Sequence, residues 1–146
     1  MRNLIFSAVT LALSTSSALA CSCQFASLDQ RVQEADEIFI ATLQRAEVKP
    51  GDYPEKWPFI EGTFQSRNVL KGTVSTKEIV LSTGVGTSGC SIPMFVSAKY
   101  IVFKAKGQQS VDACGGSNVI EDFQEDEIVT KIKAEMRRQK SKPGTR

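Results

Sequence analysis

Four cysteines constrain this chain more than any other feature: Cys21 and Cys23, one residue apart in the stretch "ALACSCQ", and the distant Cys90 and Cys114. In an exported chain an even count of cysteines argues for disulfides, and four cysteines allow three pairings. A Cys21–Cys23 bridge closes a very tight ring. The two remaining pairings each join one N-terminal cysteine to one distant cysteine, so the N-terminal strip is stapled to two separate places. A four-cysteine zinc site competes with this reading, but it normally shows two close pairs with about two to four residues between partners. Here Cys-x-Cys is tighter, Cys90 and Cys114 stand apart, and an oxidising compartment favours disulfides.

Export itself is read from residues 1–20. Arg2, an apolar run from Leu4 to Leu13, and a small polar segment ending in Ala18-Leu19-Ala20 follow the order of a secretory signal peptide. The run is too short to cross a bilayer as a helix, which needs about 20 apolar residues. Cleavage after Ala20 makes Cys21 the first residue of a mature chain of 146 minus 20, or 126, residues. That length suits one ordinary domain. The expected location is extracellular or periplasmic. A cysteine directly after a signal sequence is also the site of lipidation in bacterial lipoproteins. Ala18 stands where such signals usually carry Leu, and Ala-Leu-Ala fits ordinary cleavage, so a lipid anchor is the weaker expectation.

The chain contains no histidine, which removes Ser/His and Cys/His catalysis and the commonest zinc ligand together. The carboxylate pairs Asp36-Glu37 and Glu125 to Glu127 sit at helix boundaries, where caps and dipoles account for them. With no nucleophile beside a base and no phosphate loop or metal motif, the expectation is a protein that is not an enzyme and holds no cofactor of its own. The formal charge of +2 falls to +1 once Arg2 leaves. Within the last 17 residues Lys131, Lys133, Arg137, Arg138, Lys140, Lys142 and Arg146 face only Glu135, so a mildly acidic body carries a basic tail. A solvated helix end, followed by a frayed terminus, explains that tail without a ligand.

Hydrophobic periodicity predicts the elements. Ser27 and Gln30 are spaced as a capping box, opening a short helix over Ser27 to Asp36 with Leu28, Val32 and Ala35 at helical spacing. Glu37 to Val48 reads as a strand with Phe39 and Ala41 on one face and Ile38 and Ile40 on the other. A proline-rich loop over Lys49 to Trp57 leads to a second strand, Phe59 to Leu70, ending in the turn Lys71-Gly72-Thr73. Lys77 to Thr83 is a third strand, Lys99 to Lys106 a fourth, and Gln109 to Ala113 a fifth that delivers Cys114. Gln124 to Lys140 carries Ile128, Val129, Ile132 and Met136 on one helical stripe. The expected fold is mainly β, a five-stranded Greek-key barrel of the oligonucleotide/oligosaccharide-binding type. A short N-terminal helix and a C-terminal helix flank it, with the domain over residues 21–123 and the helix and tail over 124–146.

The mature start "CSCQ", the run "ADEIFIATL", the turn "NVLKGT", "GCS" with Cys90, "KYIVFKAKG" and "DACG" with Cys114 together resemble the N-terminal inhibitory domain of tissue inhibitors of metalloproteinases, a netrin-like module. The resemblance spans Cys21 to about Phe123. It implies the disulfides Cys21–Cys90 and Cys23–Cys114, whose separations of 69 and 91 residues (90 minus 21, 114 minus 23) are close to those of that family. It implies a partner, a zinc metalloproteinase. The amine and carbonyl oxygen of Cys21 would chelate the enzyme's zinc in a five-membered ring and displace its water. Ser22 would enter the specificity pocket beside the metal. The strip Cys21, Ser22, Cys23, Gln24 would lie against Thr87, Ser88, Gly89, Cys90 and Ser91 as one wedge, held rigid by the disulfide to Cys90 because ordering a loose terminus costs affinity. The third disulfide of the inhibitory domain and the cysteine-rich C-terminal domain have no counterpart here.

Two other readings stand beside it. In one, the chain is an exported netrin-like binding module without inhibitory activity, whose cysteines simply pin a strand; in its lipoprotein variant Cys21 carries the lipid anchor in place of a disulfide. In the other, Phe64, Tyr100 and Phe103 form a stacking platform for nucleic acid, a role that export and an acidic body argue against. The aromatics Tyr53, Trp57 and Phe59 mark either an added partner contact or a cover over the barrel end. The expected state is a monomer with no transmembrane segment.

Overall fold

The computed structural model describes residues 26–51, 57–74, 77–86 and 90–141. The elements are α1 (Leu28–Glu34), β1 (Glu37–Lys49), β2 (Phe59–Lys71), β3 (Glu78–Gly84), β4 (Lys99–Lys104), β5 (Asn118–Ile120), a 3₁₀ turn (Asp122–Gln124) and α2 (Glu125–Ser141). The fold is mainly β: one antiparallel sheet in the order β3-β2-β1-β4-β5, with one helix before it and one after. Among the described residues no helix is long and apolar enough to cross a membrane.

β1 is the centre of the sheet and is buried on both faces from Ile38 to Leu43. Alternation sends Phe39, Ala41 and Leu43 to one side, where they pack with Phe64, Leu81, Ile92, Tyr100, Val102 and Val111. It sends Ile38 and Ile40 to the other, where Val32, Ala35, Ile101, Phe103, Ile120 and Ile132 meet them. The two faces expected from the sequence are thus the two cores of the protein. Each fully buried side chain of this size contributes about 1.5–3 kcal/mol.

The helices cover the second core. Ser27 begins α1 in extended conformation, and its N–H donates to Gln30 Oε1 at 3.0 Å, the reciprocal half of the expected capping box. The stripe on α2 is also as expected, with Ile132 buried and Ile128, Val129 and Met136 packed around it. Gln139 donates to the Asp29 carbonyl at 2.8 Å and ties the two helices together. Part of the basic charge is paired within α2, where Arg138 grips Glu135 through two contacts of 2.9 Å and Lys131 pairs with Glu127.

The expected barrel is not formed: the sheet is open. The predicted fifth strand, Gln109 to Ala113, makes one isolated parallel bridge to β3, in which Ser82 N–H donates to Gln109 O and Val111 N–H to Ser82 O, both at 2.8 Å. The next available donor, Ala113 N–H, turns instead to Cys90 O at 2.9 Å, so the ladder stops after one pair. The fifth strand of the sheet is Asn118–Ile120, which pairs with Lys99–Ile101 of β4. Strands β3 and β4 also meet the central hairpin at opposite ends. β3 pairs with Phe59–Gln65 of β2, whereas β4 pairs with Glu37–Thr42 of β1, and register shifts interrupt β1 against β2 at three points. Such irregularities bend strands and increase local twist.

The turn after β2 anchors α1. The Lys71 ammonium donates to the carbonyls of Val32 (2.6 Å), Gln33 (3.3 Å) and Ala35, capping the helix C-terminus with a cation. Gly72 follows at φ +77°, and a Cβ there would sit 2.4 Å from the Asp36 carbonyl oxygen. Gly107 has nearly the same φ, +78°, with open space around it. Gly72→Ala is expected to cost at least about 2 kcal/mol in urea unfolding and Gly107→Ala about 1 kcal/mol. Equal losses would show that the Asp36 backbone yields freely and that α1 is not held by this turn.

Candidate functional site

Of the residues expected in the wedge, Cys90 and Ser91 are described. Cys21, Ser22, Cys23, Gln24, Thr87, Ser88 and Gly89 lie outside the described residues, as does Tyr53 of the proline-rich loop.

Cys90 sits just beyond the end of β3, and hydrogen bonds from the core fix the chain that follows it. Ser91 Oγ donates to the Gly86 carbonyl at 2.6 Å, drawing together the two described ends of the loop after β3. Ile92 is buried, and its N–H donates to Thr83 Oγ1 at 3.1 Å, so a buried backbone donor is satisfied by a buried hydroxyl. The Tyr100 hydroxyl, at the floor of the first core, donates to Pro93 O at 2.8 Å and accepts from Phe95 N–H at 2.7 Å. Burial pushes the Tyr100 phenol up, against the effect of its Phe95 hydrogen bond, and so keeps the donor protonated. Ser97, at φ +70°, ends the loop by donating its N–H to Leu43 O at 2.8 Å.

Cys114 arrives from the other side. The bridge at Ser82 carries the chain past β3, and the Ala113–Cys90 backbone bond sets the two cysteine-bearing segments side by side. Gly115 N–H donates to Asp112 Oδ1 at 2.7 Å and turns the chain back toward β5. The Sγ atoms of Cys90 and Cys114 are 3.3 Å apart. Both cysteines are disulfide-bonded, and 3.3 Å is far beyond the ~2.05 Å of a bond between them. The chain has two further cysteines, Cys21 and Cys23.

Beside this pair runs a groove of about 500 Å³ lined by Trp57, Phe59, Thr83, Cys90, Ser91 and Asp112, among others. Of the two roles open to the aromatics, Trp57 is not a cover: it is 87% exposed at the groove's edge, while Phe59 is half-buried. An exposed, rigid aromatic beside a groove is the kind of side chain that anchors protein interfaces. The stacking platform fails on geometry. Phe64 and Tyr100 are fully buried and meet edge to face at 5.3 Å and 89°, and Phe103 is buried in the opposite core. These rings present no face to a base.

Sequence reasoning missed Thr83, Tyr100 and Ser97 as the residues that hold the cysteine loop. For Tyr100 a signal existed: a Tyr at a core position of an alternating strand needs a partner for its hydroxyl. Thr83 and Ser97 act through contacts distant in sequence and carried no local mark. Comparison with known protein families and with curated proteins finds no match for this chain.

Thr83→Val keeps the shape of the side chain but leaves Ile92 N–H without an acceptor. The expected cost is about 1–3 kcal/mol in chemical denaturation, with faster amide exchange at Ile92. Unchanged exchange there would mean that the Thr83 bond does not hold the cysteine loop.

Proposed function

We propose that this protein is an exported inhibitor of zinc metalloproteinases, with Cys21 paired to Cys90 and Cys23 to Cys114. The observation that carries the reading is the meeting of Cys90 and Cys114 at one point beside an open groove, each disulfide-bonded. Bonds from two adjacent sulfurs to two cysteines one residue apart hold the N-terminal strip rigidly, and rigidity is what a chelating terminus requires. The count of five strands with a helix at either end supports the resemblance to the inhibitory domain in element content, though the sheet is open where a barrel is expected.

The chemistry follows from the terminus. Once the chain begins at Cys21, its α-amine and carbonyl oxygen form a five-membered chelate with the protease's zinc and take the position of the nucleophilic water. Ser22 then projects into the neighbouring specificity pocket, and Trp57 supplies a contact at the rim. The partner's zinc is the metal involved; the protein itself acts as a monomer, carries no catalytic residues and is free in the extracellular or periplasmic space.

The amine binds metal only when unprotonated, and a terminal amine has a reference pKa of ~7.7–8.0. Inhibition is therefore expected to weaken about tenfold per pH unit below that range, until zinc competes fully with the proton. The decisive comparison is between the chain starting at Cys21 and one extended by a single alanine, tested against a panel of zinc metalloproteinases. Extension should raise the inhibition constant by at least about a hundredfold, or about 2.8 kcal/mol at 1.4 kcal/mol per tenfold. Equal activity of the two chains, or none from either, would sink the inhibitor reading and leave an exported binding module.

A further inference from the structure

The face of β1 that sends Ile38 and Ile40 under the helices continues to Thr42, which lines a second groove, of about 480 Å³. Arg67, Phe95, Lys99, Val119 and Asp122 also line it, and it shares no residue with the groove beside Cys90. Its cation is placed by a β-bulge. Ile40 pairs with Asn68 and the next residue, Ala41, with Ser66, so Arg67 is the extra residue on β2. Bulges re-aim the side chains they carry. Here Arg67 Nε donates to Thr42 Oγ1 at 3.3 Å, which orients the guanidinium, while its two terminal nitrogens make no hydrogen bond or ion pair among the described residues. Lys99 differs, because Glu125 at 2.6 Å and Asp122 at 3.0 Å already answer its charge. Arg67 is therefore the groove's one cation with free donors among the described residues.

The rim is apolar and rigid. Phe95 and Val96 are 59% and 56% exposed, yet the turn that carries them is fixed on both sides. Phe95 N–H donates to the Tyr100 hydroxyl at 2.7 Å and Ala98 N–H to Phe95 O at 3.1 Å. Ser97 N–H donates to Leu43 O at 2.8 Å, and Leu43 N–H to Ala98 O at 3.0 Å. Two apolar side chains held in water on a fixed backbone bring contact area to a partner at little further cost in backbone ordering.

We propose that this groove docks a segment of another protein in which a single carboxylate stands next to a bulky apolar side chain. The carboxylate takes the two terminal nitrogens of Arg67 as a fork. The apolar side chain packs on Phe95 and Val119. Glu121 and Asp122 also line the groove, so a second acidic group entering beside them is repelled. Phe95 and Val96 project at the tip of their turn, which suits a protein surface better than a small acid lying wholly inside the groove. Docking here is independent of zinc chelation and involves no cysteine.

The test begins with a phage library of random dodecapeptides panned on the full mature chain. Enriched peptides should carry Asp or Glu directly beside Leu, Ile, Met or an aromatic residue. One such peptide, labelled and titrated by fluorescence anisotropy, then reports the contacts. Exchanging its acidic residue for the amide should raise Kd at least about tenfold, and so should Arg67→Gln or Phe95→Ala in the protein. Arg137→Gln, on the exposed side of α2 and outside the groove, should leave Kd unchanged. No enrichment, or enriched peptides that lack a carboxylate, overturns the proposal. So does a peptide whose affinity ignores the amide exchange or both groove variants, or one that responds to Arg137→Gln as strongly as to Arg67→Gln, since its attraction is then to charge in general. Where a protein variant does not fold, the amide exchange in the peptide and the remaining groove variant decide.

Discussion

Everything in this fold depends on β1 being apolar on both of its faces. A strand that sends Phe39, Ala41 and Leu43 one way and Ile38 and Ile40 the other has no face to give to water, so both sides must be covered. Neighbouring strands pair with it along both edges over Ile38–Thr42. On one side the cover is α1 with α2, whose buried Val32 and Ile132 meet Ile38 and Ile40. On the other no helix is present among the described residues, and the cover is the sheet's own outer strands with the loop segments that contribute Ile92 and Val111. The cysteine-bearing loops are therefore held because they close a core.

Loops used as a core cover bring polar backbone into a dry place, and the polar groups of the first core answer that cost. Thr83 and Tyr100 each sit on a strand, are buried, and aim a hydroxyl at the loop after β3. An unsatisfied buried amide costs about 1–3 kcal/mol, so these hydroxyls select one conformation of the chain from Ile92 to Phe95. The same logic operates at the second core, where Ser117 Oγ accepts from Phe103 N–H at 3.0 Å and donates to Phe103 O at 3.1 Å. Ser117 lies three residues beyond Cys114, so both cysteines follow or precede a segment fixed by a buried hydroxyl.

Local pattern carried most of the elements. β1 to β4 and both helices follow periodicity, and Ser27, Gln30 and the Ile128–Met136 stripe marked their helices correctly, because these signals lie within a few residues of one another. The fifth strand was misplaced for a physical reason. Gln109 to Ala113 holds one strand-favouring residue, Val111, and pairing is decided by which edge is within reach: at Ala113 the reachable acceptor is Cys90 O. Asn118–Ile120 is three residues long, too short to show an alternation, and owes its pairing to β4. Of the residues that line the groove, Cys90, Ser91 and Trp57 are ones the sequence singles out. The contact between Cys90 and Cys114 joins residues 24 apart and had no local signature.

That contact also bears on how much stability the N-terminal bonds hold. In the proposed pairing the first disulfide spans 69 residues, 90 minus 21, and in the chain-entropy picture a loop of that size contributes about 4.4 kcal/mol. The second spans 91 residues, 114 minus 23, and taken alone contributes about 4.6 kcal/mol on the same scale. The two buried cores involve no cysteine among the described residues. Without the bonds the larger change falls on the terminus, because fixing the backbone of each residue of the strip costs about 1–2 kcal/mol that the disulfides otherwise absorb during folding. Once freed, the strip would meet that cost on binding. Loss of these bonds would thus remove most of the advantage of a rigid chelating end.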